Sequence, residues 1–333
     1  MKRLSLLISV VLISLSLAFT ACNTTNSDGE DGTPDPVPPS EAQNGEWTLV
    51  TSSVDNTIHD VVITPEGAYA VAEGGILLER TQEEWIKVVD SGVSGNGNNL
   101  FGLAKTADEN KLWMVGSSGA VGEYNISTGN LNDFSQPMDA SNNFNDVAVT
   151  RKPDATNIYI AGDSGQMYYN FDDGKEGKWN SVTPGNGSAI NAVGFFNDRE
   201  GHIIDANQSV FVTQDGGTWN QAGIADADVD FEGIDSDGTK NVRVSGGNGM
   251  IFTWNGSEWM STSVAEATLM DIEVDAEDQS GYAVGGGATI ISYNGSTWSP
   301  QETPTTENIN AVALGSDTQP DIAVGAGGTI LER

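Results

Sequence analysis

Seven copies of one pattern recur at a spacing of roughly 40 residues and account for almost all of the apolar sequence. Each copy opens on a short apolar segment: IHDVVIT at 58, LFGLAKT at 100, FNDVAVT at 144, INAVGFF at 190, FEGIDSD at 231, LMDIEVD at 269 and INAVALG at 309. A second segment follows and runs into a glycine turn, as in YAVAEGG from 69, YIAGDSG from 159 and IAVGAGG from 322, although the fourth copy, HIIDANQ at 202, has no glycines there. After a third apolar segment and a polar turn, a fourth segment opens on Trp85, Trp179, Trp219, Trp259 or Trp298, with Phe134 standing in for it in the second copy. Four short strands divided by turn residues and repeated at this period form a propeller blade. No stretch holds a helical period, so the fold class is all-β: a seven-bladed propeller of four-stranded blades.

The pattern also predicts how the ring closes. The seventh copy reaches Arg333 after its third segment, while an unpaired fourth segment, Glu46-Trp47-Thr48-Leu49-Val50, precedes the first copy. Residues 46–50 are therefore expected to complete the last blade, which leaves no blade short of its edge strand.

The order W, I-x-A-V, Y-A-V-G-x-G-G-x-I and D-G-G-x-T-W resembles the BNR or Asp-box type of propeller, and especially the photosystem II stability and assembly factor family. The resemblance spans Trp47 to Arg333, with Asp215-Gly216-Gly217-Thr218-Trp219 its fullest Asp-box and WNGSEW (254–259) and YNGSTW (293–298) degenerate ones. It implies a propeller that helps to assemble a membrane complex.

Ahead of the repeats, residues 1–21 pass from Lys2-Arg3 through an apolar run to Phe19-Thr20-Ala21, and Cys22 follows. This reads as a secretory leader too short for a comfortable membrane span. Cys22 is the single cysteine, and resemblance to bacterial and archaeal lipoproteins implies that it carries the lipid. Residues 22–45 are acidic and proline-rich, the composition of a disordered tether, and 46–333 form the propeller. The expected product is exported, lipid-anchored at the cell membrane and facing away from the cytoplasm.

Removing the leader leaves 12 basic residues against 47 acidic ones, a charge of −35. Nucleic acid is excluded as a partner by that sign, and an acidic excess spread over the domain reads as adaptation to high salt. Six sequons occur, at Asn23, Asn125, Asn186, Asn207, Asn255 and Asn294, and those at Asn186, Asn255 and Asn294 double as Asn-Gly-Ser turn sequences.

Two histidines and one cysteine leave no ligand set for zinc and no cysteine nucleophile in the repeats. Asp226, Asp228, Asp230, Asp235 and Asp237 crowd one copy, but without the glycine and terminal glutamate of a calcium loop they read as a solvated acidic loop. No metal or cofactor is expected. The repeated tryptophans read as packing between blades, whereas Trp113 and Trp254 fall outside that pattern and are free for another role.

The candidate site is the start of the innermost strands. Alignment places His59-Asp60, Phe101-Gly102, Asn145-Asp146, Asn191-Ala192, Glu232-Gly233, Met270-Asp271 and Asn310-Ala311 in equivalent positions. His59, Asp60, Asn145, Asp146, Asn191, Glu232, Asp271 and Asn310 would form a polar ring at one mouth of the channel, near the variable connections between blades. Amides in place of Asp60, Glu232 and Asp271 are expected to keep the fold. This ring is read as binding a protein or glycan partner. The alternatives are a sialidase-type glycoside hydrolase and a structural cell-surface component. Sialidase resemblance implies an arginine triad, yet none of Arg80, Arg151, Arg199, Arg243 and Arg333 begins an inner strand, so a carboxylate pair such as Asp60 and Glu232 is the catalytic candidate that remains.

Overall fold

The structure is a computed structural model and describes residues 45–333 except 83, 136–141, 153–154, 225–227, 239–240 and 278. The leader, Cys22, all of the tether but Gly45, and Asp226 lie outside the described residues.

The described strands form seven four-stranded antiparallel sheets, each running from an inner to an outer strand in chain order except one. That sheet is the last blade, in which Thr48–Val50 takes the outer place beside Ile330–Glu332, pairing Thr48 with Glu332 and Val50 with Ile330. The closing strand is two residues shorter than the expected 46–50, but Trp47 just ahead of it is 4 % exposed and packs edge-on against Tyr282 at 5.2 Å. Each inner strand packs against the inner strands of both neighbouring blades, and the seventh, Ile309–Ala313, against the first, Ile58–Thr64.

Among the described residues the hydrophobic core is divided into seven clusters, one in each gap between blades. Trp85 lies between the last blade and the first, Trp179 between the second and third, and Trp47 between the sixth and last. Trp219, Trp259 and Trp298 pack against the clusters between the third and fourth, fourth and fifth, and fifth and sixth blades, while the cluster between the first and second has no tryptophan among the described residues. Two aromatic assignments need correction. The outer strand of the second blade is Asn130–Asp133, so Phe134 follows it instead of opening it. Trp113, read as free, is 1 % exposed and meets Phe134 at 4.8 Å and Trp179 at 6.3 Å, because it lies on a strand whose faces are both covered. Trp254 is half-buried and stands 5.6 Å from Trp259.

The glycine turns have a steric cause. At Gly328, φ is +71° and an added Cβ would lie 1.9 Å from the Val54 carbonyl oxygen, so the connection entering the first blade crosses directly over the turn. Gly249 is held in the same way beneath the Ala265 carbonyl. The seam between the last and first blades has a further fastening. Glu332 receives Arg80 through Nε at 2.7 Å and Nη2 at 2.8 Å, and Trp85 Nε1 donates to it at 3.2 Å.

Candidate functional site

All seven inner strands carry a β-bulge at one equivalent place. In the first blade Ile58 pairs with Ala72 and Asp60 with Val71, which leaves His59 as the extra residue. The same shift leaves Phe101, Asn145, Asn191, Glu232, Met270 and Asn310 unpaired in the other six blades. A bulge turns two consecutive side chains out of the strand's normal alternation. Here both escape the core between blades: Ile58 and Val61 are buried, while His59 and Asp60 between them face the channel.

The expected single ring is therefore two tiers. In the upper tier, His59, Phe101, Asn145, Glu232, Met270 and Asn310 line a cavity of about 500 Å³ together with Asn143 and Thr268. The asparagines are fixed at one end. Asn145 Nδ2 donates to the Ile190 carbonyl at 3.0 Å, Asn191 Nδ2 to Phe231 at 2.6 Å and Asn310 Nδ2 to Ile58 at 2.8 Å, each reaching the start of the next inner strand. His59 meets Phe101 edge-on at 5.1 Å, and its Nε2 is 4.0 Å from a Glu73 oxygen. Burial pushes the imidazole below its ordinary value, against a smaller opposing effect of Glu73. Burial, and then the charge of Asp230, raises the Glu232 carboxyl.

The lower tier fastens blades together. Asp60 accepts from its own neighbour Val61 N at 2.7 Å and from Leu103 N of the next blade at 2.7 Å. Asp146 does the same with Val147 and Val193, both at 2.7 Å, and Asp271 with Ile272 at 2.8 Å and Val312 at 2.9 Å. The next blade holds Gly102, Ala192 or Ala311 at the matching position. Small size is needed here: a Cβ on Gly102 would come within 2.9 Å of the Asp146 Cα. Each carboxylate thus has both oxygens committed to backbone N–H groups. An amide offers one accepting oxygen and would turn an NH2 group toward a donor, so replacing Asp60 or Asp271 by asparagine disturbs the ring, contrary to the expectation that amides preserve it. The commitment also occupies the Asp60 half of the carboxylate pair considered for hydrolysis.

These three carboxyls sit close enough to feel one another. Asp60 is pushed well above the ordinary range by burial and then by Asp146 and Asp271, and burial raises Asp146 to about 7.

Beyond the aspartate tier the channel opens into a second cavity of about 410 Å³, whose lining includes Lys105, Phe195, Asp235, Asp237 and Glu273. Sequence reading passed over these residues, and it treated Asp235 and Asp237 as part of a solvated loop. Both instead pair with buried Arg243, at 2.9 and 3.4 Å. Burial first, then Asp237, raises Asp235 to about 7, and burial with Asp271 and Asp235 raises Glu273 to about 8. The available signal lay two residues further along the aligned copies, where Asp235 and Glu273 stand against Val62, Ala104, Ala148, Gly194 and Ala313.

Among the described residues no group of three or more His, Cys, Asp and Glu could hold a metal ion. Nor does an arginine side chain line the mouth among them. Arg80, Arg243 and Arg333 are engaged with Glu332, Asp235 and Tyr282, and Arg199 lies 4.2 Å over the Phe171 ring.

Residues 40–210 match the family model described as Photosynthesis system II assembly factor YCF48. No curated protein matches the sequence. Among solved structures, YCF48 bound to D1 peptide superposes with a TM-score of 0.69 at 13 % identity, covering 87 % of this chain and 95 % of the other. YCF48 from Cyanidioschyzon merolae gives 0.65 at 14 %, covering 86 and 98 %. Virginiamycin B lyase from Staphylococcus aureus gives 0.72 at 12 %, covering 86 and 99 %. At such identities these neighbours speak for the fold alone.

Proposed function

This chain belongs to the Photosynthesis system II assembly factor YCF48 family, and from that premise we propose that it is a protein-binding assembly propeller that receives its partner at the mouth where the inner strands begin. The observation that carries the reading is the sevenfold bulge, which delivers the inserted side chains of six blades, all but Asn191 of the fourth, to a single cavity while the tier below holds the blades in place. One structural neighbour, YCF48 bound to D1 peptide, supports a peptide as the kind of thing such a propeller holds. In our reading the domain is exported and held at the membrane through a lipid on Cys22, and works in high salt. The leader motif and the charge of the chain support this.

The test is affinity capture from membranes of the source cells in molar salt, with tagged wild type and with Met270→Arg, which fills the mouth with a long side chain. A partner retained by wild type and lost from the variant is the expected result. A partner retained equally by both would place docking elsewhere.

A further inference from the structure

The upper cavity is lined mostly by acceptors and apolar surface, with the Thr268 hydroxyl and the His59 ring as its other polar groups. Because a backbone carbonyl can only accept, the atoms that Asn145 and Asn310 turn toward Ile190 O and Ile58 O must be their amide nitrogens. Their Oδ1 atoms are then left for the mouth, with no partner among the described residues. Glu232 lines the same cavity, and no described residue pairs with its carboxylate. Burial lowers the His59 imidazole from its ordinary value, which disfavours a positive charge there. No lysine or arginine stands in the lining, which is completed by Phe101 and Met270.

From this lining we propose, resting on the docking reading above, that the mouth recognises an arginine side chain carried on a peptide segment of the partner. The aliphatic stem of arginine packs against Phe101 and Met270. The guanidinium, with five N–H donors and no acceptor, matches Glu232 and the two amide oxygens, and ion pairing with a half-buried carboxylate strengthens those bonds. A cavity of about 500 Å³ admits the side chain together with part of its backbone. An acidic peptide would meet the Glu232 carboxylate and two amide oxygens, with no lysine or arginine in the lining to receive it.

The test uses two peptides, Ac-Gly-Arg-Gly-NH2 and its neutral isostere with citrulline in place of arginine, titrated calorimetrically into the full chain in molar KCl. Wild type should bind the arginine peptide about 10-fold more tightly, the value of one charge-assisted hydrogen bond. Glu232→Gln should bind both alike, while Glu66→Gln with Glu277→Gln, on the opposite face, should keep the preference. Equal binding of both peptides to wild type overturns the inference, as does a preference that survives Glu232→Gln, since attraction to the overall negative charge would persist with one carboxylate removed. Either failure is separable from failure of the docking reading. Partner capture lost in Met270→Arg but intact in Glu232→Gln would leave the mouth as the docking site for other chemistry, whereas capture that survives Met270→Arg would remove the site itself.

Discussion

Glu273→Gln should make the propeller less sensitive to rising pH, and the size of the effect follows from where the carboxyl sits. In the folded chain the group titrates near 8, against an ordinary 4.5, because burial and the charges of Asp271 and Asp235 disfavour its ionised form. The folded state therefore keeps a proton that the unfolded chain has already released, so stability is present at low pH and is lost as pH rises toward the folded value. Between about pH 6.5 and 8 the linkage relation gives a loss of roughly 1.5 kcal/mol from this group alone. Asp146 and Asp235, each near 7, add about 0.8 kcal/mol apiece in the same direction, in wild type and variant alike. His202, pushed down to about 4 by burial, is neutral when folded but about half protonated at pH 6.5 when unfolded, so it adds a few tenths of a kcal/mol in the opposite direction, equally in wild type and variant. Glutamine retains an oxygen to accept the Leu314 N–H, which donates to Glu273 at 3.2 Å, so the strand end need not rearrange. Urea denaturation in molar KCl, which screens the surface charges, would compare wild type and variant at the two pH values. The variant should lose about 1.5 kcal/mol less than wild type. Parallel losses would mean that Glu273 is ionised or solvated in the folded protein, and the reasoning from burial would fail.

Gly328→Ala should cost more than about 3 kcal/mol in the same denaturation assay, since its Cβ would strike the Val54 carbonyl, whereas Gly95→Ala, with φ also near +71° but nothing within 4 Å, should cost about 1 kcal/mol. Deleting residues through 44 should leave the melting temperature unchanged, while a deletion through Val50 removes buried Trp47 and the last blade's outer strand and should cost several kcal/mol; equal melting temperatures would refute closure by this strand. With 12 basic residues against 47 acidic ones after Ala21, the melting temperature should climb steeply from dilute buffer to molar KCl as the Debye length contracts from about 30 to about 3 Å, and a flat profile would count against adaptation to salt.

The blades were legible because local chemistry repeats: apolar strands, positive-φ glycines and a tryptophan recur in phase, and each is required for its own steric or packing reason. The closing strand was legible for the same reason, through Trp47. The bulge was not, since no residue type marks it; the seven inserted positions hold His, Phe, Asn, Asn, Glu, Met and Asn. Alignment brought the right residues together without showing that adjacent side chains would occupy different depths. Asp60 and Asn145 thus looked like one ring, although the first anchors the Leu103 amide and the second reaches the mouth. Burial of Asp235 was hidden by its company, because a run of aspartates reads as a surface loop until Arg243 is seen beneath it.

The inserted residue in each inner strand has an evolutionary consequence. Since it pairs with nothing across the hairpin, changing it leaves the cross-strand partners of its neighbours untouched, and the order of inward and outward side chains further along the strand stays as it was. Seven such positions can change one at a time without shifting a blade's register, although at Asn145, Asn191 and Asn310 a change also removes the bond to the next inner strand. The frame and the specificity of this propeller are in that sense inherited separately, which makes the mouth a natural place to graft a new recognition surface without redesigning a blade.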